Sequence, residues 1–168
     1  MTPTLQLLAL VVWANGVPVL LRLLLGHRFA HPLDGGRLFR DGRPWLGASK
    51  TWRGLCAAVL TTPLLAVLLG LTWLIGVVAA LGAMSGDLLA SFIKRRLGRQ
   101  PSESVFLLDQ VPEALIPAIA LMPVLDLSAS RVAIVVIAFT LIDLLLTPFA
   151  ARLRRMLERI RGLGRRPF

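Results

Sequence analysis

From Gly54 to Gly86 the chain runs for more than 30 residues without a charged side chain, and no other feature limits its possible folds as much. A bilayer core about 30 Å thick takes roughly 20 helical residues to cross, so this run is too long for one passage and reads as two. The best turn lies around Gly70 to Trp73, which gives spans over 54–69 and 73–93. Further apolar segments predict spans over 4–25, 111–125 and 132–150. The first holds Asn15, Gly16 and Pro18, which are expected to interrupt or kink it in mid-membrane. The fourth is short and carries Pro112, Pro117 and Pro123, so a kinked helix is expected there. With 56% hydrophobic residues and a mean hydropathy of +0.74, the chain lacks the polar side chains to cover a soluble domain. The expectation is an all-α integral membrane protein of about five transmembrane helices, forming a single polytopic domain over residues 1–168.

The net charge of +10 follows the membrane. Six Lys/Arg lie between Gly26 and Arg53, four between Lys94 and Gln110, and seven after Ala150, whereas the opposite turns hold only Arg131. By the positive-inside rule the N-terminus is outside. Segments 26–53 and 94–110 are then cytoplasmic loops, and 151–168 is a basic amphipathic cytoplasmic tail. Charge of this kind serves membrane orientation and anionic lipid, and no nucleic acid is expected as a partner. The N-terminal stretch lacks the basic flank and small-residue cleavage site of a signal peptide, so it reads as a retained span. Cys56 stands alone in an apolar run, which leaves no disulfide or metal-type cysteine spacing.

The first cytoplasmic loop is richer than a connector needs. It reads Pro32-Leu33-Asp34-Gly35-Gly36-Arg37, then Asp41-Gly42-Arg43-Pro44, then Ser49-Lys50-Thr51-Trp52-Arg53-Gly54 at the mouth of the second span. Glycine N–H groups, the Ser49 and Thr51 hydroxyls and the Lys50 and Arg53 charges meet at a helix N-terminus, a combination that suits phosphate. A P-loop is excluded, because two residues separate Gly47 from Lys50 and no strand precedes them. On the third span Asp87, Ser91 and Lys94 or Arg95 recur at helical spacing and form one face running toward the cytoplasm. An aspartate inside a span is costly and normally sits in a polar cavity with a partner. Asp109 and Glu113, at i and i+4 where the fourth span begins, either converge with Asp87 on an oxygen-rich site for Mg2+ or serve as ion-pair partners for the nearby cations. Asp143 lies at a similar depth and either shares that cavity or hydrogen-bonds a neighbouring helix. His27 and His31 mimic metal-ligand spacing but lack a clear third ligand, and read as interfacial side chains.

These stretches resemble the CDP-archaeol synthase family, membrane cytidylyltransferases related to the CDP-diacylglycerol synthases. The likeness rests on Ala14-Asn15 with Pro18-Val19-Leu20, Asp34-Gly35-Gly36, Ser49 to Gly54, Gly86-Asp87-Leu88 with Ser91 to Gly98, and Leu108-Asp109-Gln110. The resemblance implies transfer of the cytidylyl group of CTP to a lipid phosphate, with Mg2+ as cofactor, giving a CDP-lipid and pyrophosphate. The lipid would be an isoprenoid ether-lipid phosphate, or phosphatidate as in the relatives. Carried onto this chain, the catalytic residues are Asp87, Lys94 and Asp109, with Asp87 and Asp109 on the metal. Asn15, Ser49, Lys50, Thr51, Arg53, Ser91, Arg95 and Gln110 are the substrate-binding set. The site is expected to face the cytoplasm from the cell membrane, and a homodimer is compatible with so small a bundle. Loop residues 99–106, the Arg-rich tail, and Asp143 without an Asn near the exit of the last span depart from the family pattern. The competing readings are a CTP-dependent lipid kinase and a non-enzymatic transporter or scaffold subunit.

Overall fold

In the computed structural model, residues 1–100 and 105–160 are described. The expected loop positions 101–104 and the tail beyond Ile160 lie outside them. Among the described residues five helices follow one another: α1 (Pro3–Leu25), α2 (Trp52–Leu68), α3 (Trp73–Arg96), α4 (Gln110–Leu121) and α5 (Ala129–Ile160). Three of them, α1, α3 and the Ala129–Leu157 part of α5, are long and apolar enough to cross a membrane. The other two are apolar but shorter, 17 residues in α2 and 12 in α4.

The five helices fall on the five apolar segments singled out in the sequence, with two differences. Of the interruption or kink expected at Asn15–Pro18, an interruption is absent: α1 is continuous from Pro3 to Leu25 with Pro18 inside it. Neighbouring helices allow a half-buried proline to be accommodated without a break, and Gly54 of α2 provides the room: a Cβ there would lie 3.1 Å from the Pro18 Cβ. At the other end, α5 does not stop at Ala150 but continues through Pro148 to Ile160, so span and basic extension form one helix.

The turn around Gly70 is as expected. Gly70 has φ +77°, the carbonyls of Ala66 and Val67 are capped by the amides of Leu71 and Gly70, and Gln6 of α1 donates to the Leu69 carbonyl over 2.8 Å. The core is built from Leu7, Leu10 and Val11 of α1, Ala79 of α3, Ala114, Ala118 and Leu121 of α4, and Val135 and Phe139 of α5. Leu60, Leu64, Leu68, Leu81, Leu141 and Leu145 point outward. An outer surface this apolar is suited to lipid and not to water.

α3 is the centre of the bundle, packed against α1, α2 and α4. Small residues let helix backbones approach closely where lipid offers no hydrophobic driving force between them. At Gly86 the approach is tightest: a Cβ there would run into the Pro112 carbonyl and the Glu113 amide of α4. This contact fixes the spacing between Asp87, the next residue on α3, and the first turn of α4.

Candidate active site

The loop before α2 is ordered by its own polar groups. Leu33 donates to the Lys50 carbonyl over 2.8 Å and Trp52 donates to that of His31 over 3.1 Å, so the two ends of the loop lie side by side. Between them the Asp34 carboxylate gathers three backbone amides, Gly36 on Oδ1 and Leu46 and Gly47 on Oδ2, at 2.9 to 3.0 Å. Partial burial pushes the Asp34 carboxyl up, but these amide donors outweigh it and hold the group below its ordinary value. The glycine amides expected to receive phosphate are thus partly taken by an internal anion.

The middle of the loop is clamped to the end of α3. Phe39, Trp45 and Phe92 meet edge to face or tilted at centroid distances of 5.1 to 6.0 Å, and the Arg96 guanidinium stacks over Phe39 and Phe92. Arg96 also pairs with Asp41 and donates to the Pro44 carbonyl. Arg43 in turn donates to the Arg95 and Arg96 carbonyls, which the end of a helix leaves without intrahelical partners. Sequence reasoning assigned Arg43, Arg96 and Asp41 no role. Their signal was the mixture of aromatic and basic residues in a loop where orientation alone needs only charge.

This clamp sets Lys50 over α3, where its ammonium pairs with Asp87. Glu113, open in the sequence between metal-binding and ion-pairing roles, lies against Asp87, with Lys50 and Asp143 close enough to act on it. Three segments far apart in sequence therefore meet at one point inside the basic end of the bundle. Two turns further along α3, buried Lys94 pairs with Asp109 at 2.7 Å. The second Asp109 oxygen accepts from the Val105 amide at 3.0 Å. Gln110 is buried and donates to Asp143 at 2.8 Å.

The remaining expected site residues divide into two groups. Ser91 and Arg95 are buried on the same α3 face as Lys94, and Arg95 donates to the Gln100 carbonyl over 2.7 Å. Ser49 is half-buried beside Lys50. The others are turned toward backbone. Thr51 caps α2 by accepting from the Gly54 amide at 3.3 Å. Arg53 binds the carbonyls of Gly26 and Arg28 at the end of α1. Asn15 donates to the Val11 carbonyl in its own helix over 3.0 Å.

Among the described residues no three His, Cys, Asp or Glu side chains form a group able to hold a metal by themselves, and His27 and His31 join no such cluster. Mg2+ does not need one, since it is commonly bound by one or two carboxylates and completed by substrate phosphates and water. The facing carboxylates of Asp87 and Glu113 fit that donor set, with the Lys50 ammonium supplying the positive charge in their present arrangement.

The helical bundle gathers its acid–base pairs at one end, and comparison with known proteins gives its family. The family model described as CDP-archaeol synthase (CarS-like) matches residues 70–157. A CDP-archaeol synthase of Hyperthermus butylicus is 42% identical over 119 residues, covering 66% of this chain and 68% of that one. That of Thermofilum pendens is 38% identical over 144 residues, 82% of this chain and 70% of the relative. A solved structure of an intramembrane enzyme for archaeal membrane lipid biosynthesis superposes with a TM-score of 0.67 at 29% identity, covering 84% of this chain and 90% of that one. The chain belongs to the CDP-archaeol synthase family.

Proposed function

We propose that the Lys50–Asp87–Glu113 cluster is the centre at which this chain, a CTP-dependent nucleotidyltransferase, forms a CDP-activated membrane lipid. The observation that carries this reading is the junction itself: a loop lysine, an α3 aspartate and an α4 glutamate meet inside a lipid-facing bundle of this family. CTP docks from the cytoplasmic side, with Lys50, Lys94 and Arg95 positioned to neutralise its triphosphate. The lipid is an isoprenoid ether-lipid phosphate, with phosphatidate as the second substrate to be compared.

An oxygen of the lipid phosphate attacks the α-phosphorus, the bond between the α-phosphorus and the bridging oxygen breaks, and pyrophosphate leaves with that electron pair. Nucleophile and leaving group are both phosphate oxygens, so the protein's work is to orient them in line and balance their charge. Asp87 and Glu113 are the carboxylates that would hold Mg2+. When bound, the cation supplies charge neutralisation on the transferring phosphoryl group. We assign Asp109 the task of fixing Lys94. In the membrane, the proposal is a five-helix domain with the N-terminus outside, the site facing the cytoplasm, and α2 and α4 completing the bundle around the three long helices.

The rival readings separate by the position of the label in CTP. A cytidylyltransferase passes label from the α-phosphate into chloroform-soluble lipid and none from the γ-phosphate. A lipid kinase does the reverse, and a transporter or scaffold moves neither. The expected result with purified protein, Mg2+ and either lipid phosphate is α-label in the lipid alone; γ-label in the lipid, or none from either position, overturns the proposal.

A further inference from the structure

Gln110 is buried at the first position of α4, and both ends of its amide are engaged in an order that only one orientation satisfies. Its Nε2 donates to Asp143 Oδ2 at 2.8 Å, and its Oε1 accepts from the Leu107 amide at 2.9 Å. Asp143 is itself steadied by the Thr147 hydroxyl, which donates to Oδ1 over 3.1 Å. A carboxylate only accepts, so Asp143 fixes which way the Gln110 amide faces and thereby directs an acceptor at Leu107.

Leu107 needs that acceptor. Its φ of +64° is a left-handed conformation that non-glycine residues rarely adopt, and it sits in the turn joining Val105 to Asp109. The same turn supplies the Val105 amide to Asp109 and so aims the other Asp109 oxygen at Lys94. The chain of contacts runs from α5 through Gln110 and Leu107 to the Lys94–Asp109 pair, and nothing in it requires Gln110 to touch substrate.

Resting on the cytidylyltransferase reading, we infer that Asp143 is a positioning residue, which acts through the Gln110 amide to hold the 105–109 turn and the Lys94–Asp109 pair in register for transfer. The test exchanges the two partners. Gln110→Glu sets carboxylate against carboxylate and removes the donor, and lowers kcat roughly tenfold or more. Asp143→Asn keeps an acceptor facing Gln110, and lowers it by about threefold or less. The double variant Gln110→Glu with Asp143→Asn restores one donor and one acceptor with roles reversed, and recovers the activity of Asp143→Asn with the KM for CTP of the wild type.

A double variant no better than Gln110→Glu, or a raised KM for CTP that the exchange does not reverse, overturns the inference, the latter because Gln110 then touches the nucleotide. Hydrogen exchange at the Leu107 amide is followed in the same full-length proteins and in Asp143→Leu. It should be faster in Gln110→Glu and Asp143→Leu and slow again in the exchanged pair. Unchanged exchange in both overturns the brace whether or not lipid is made, whereas an inactive wild type with exchange behaving as described counts against the cytidylyltransferase reading alone.

Discussion

Replacing Asp87 by Asn should abolish cytidylyl transfer while leaving the protein in the membrane. The two side chains have nearly the same shape, so α3 keeps its packing, but the charge that pairs with Lys50 and faces Glu113 is gone. Losing a group that organises charge at a phosphoryl centre lowers turnover by on the order of 10³-fold. The bilayer works in the opposite direction, because a neutral amide is easier to insert than a carboxylate. The variant should therefore be recovered from membranes at wild-type yield with wild-type helix content. An inserted, folded Asp87→Asn protein with near-normal turnover would remove Asp87 from the chemistry.

Gly86→Ala should be nearly as damaging without touching a polar atom of the site. Its added methyl group meets the Pro112 carbonyl and the Glu113 amide, both backbone atoms of α4 that cannot turn aside as a side chain would. The helices must part, and overpacking of this kind costs about 1–3 kcal/mol in stability. The larger effect falls on activity, since Glu113 moves away from Asp87 and a displacement of about 1 Å in a reacting site can cost 100-fold. Gly16→Ala is the matching control: nothing lies within 4 Å of a Cβ at that position of α1. Measured side by side, Gly86→Ala should lower kcat by about 100-fold and Gly16→Ala should leave it unchanged. Equal activities would mean that the α3–α4 spacing does not set the site.

The order of the helices was legible in the sequence because each is an apolar run bounded by glycines or charges. The run from Gly54 to Gly86 and the basic cluster at Lys94 to Arg96 bracket α2 and α3 almost to the residue. Asn15 to Pro18 do not break α1, because a helix-breaking pattern is local whereas the packing of Gly54 under Pro18 is not. The site was legible one residue at a time but not in its pairings. Asp109 and Glu113 look like neighbours on a helix face, yet α4 begins at Gln110, so Asp109 belongs to the preceding turn and reaches Lys94 while Glu113 reaches Asp87. Arg53 and Thr51 carry the right chemistry for phosphate, but the ends of α1 and α2 have open carbonyls and amides that claim them first. No spacing rule reveals that Asp34 consumes the amides of Gly36 and Gly47, because the contact depends on how residues 34 to 47 fold back on themselves.

We propose that Asp87 and Glu113 together form the acidic half of the catalytic centre. This shared role is tested most directly by titrating Mg2+ against CDP-lipid formation for the wild type and for Glu113→Gln. Glu113→Gln should need about 10- to 100-fold more Mg2+ to reach half its maximal rate, with lipid saturation little changed. Superimposable Mg2+ curves for the two proteins would contradict it and place the cation away from this pair.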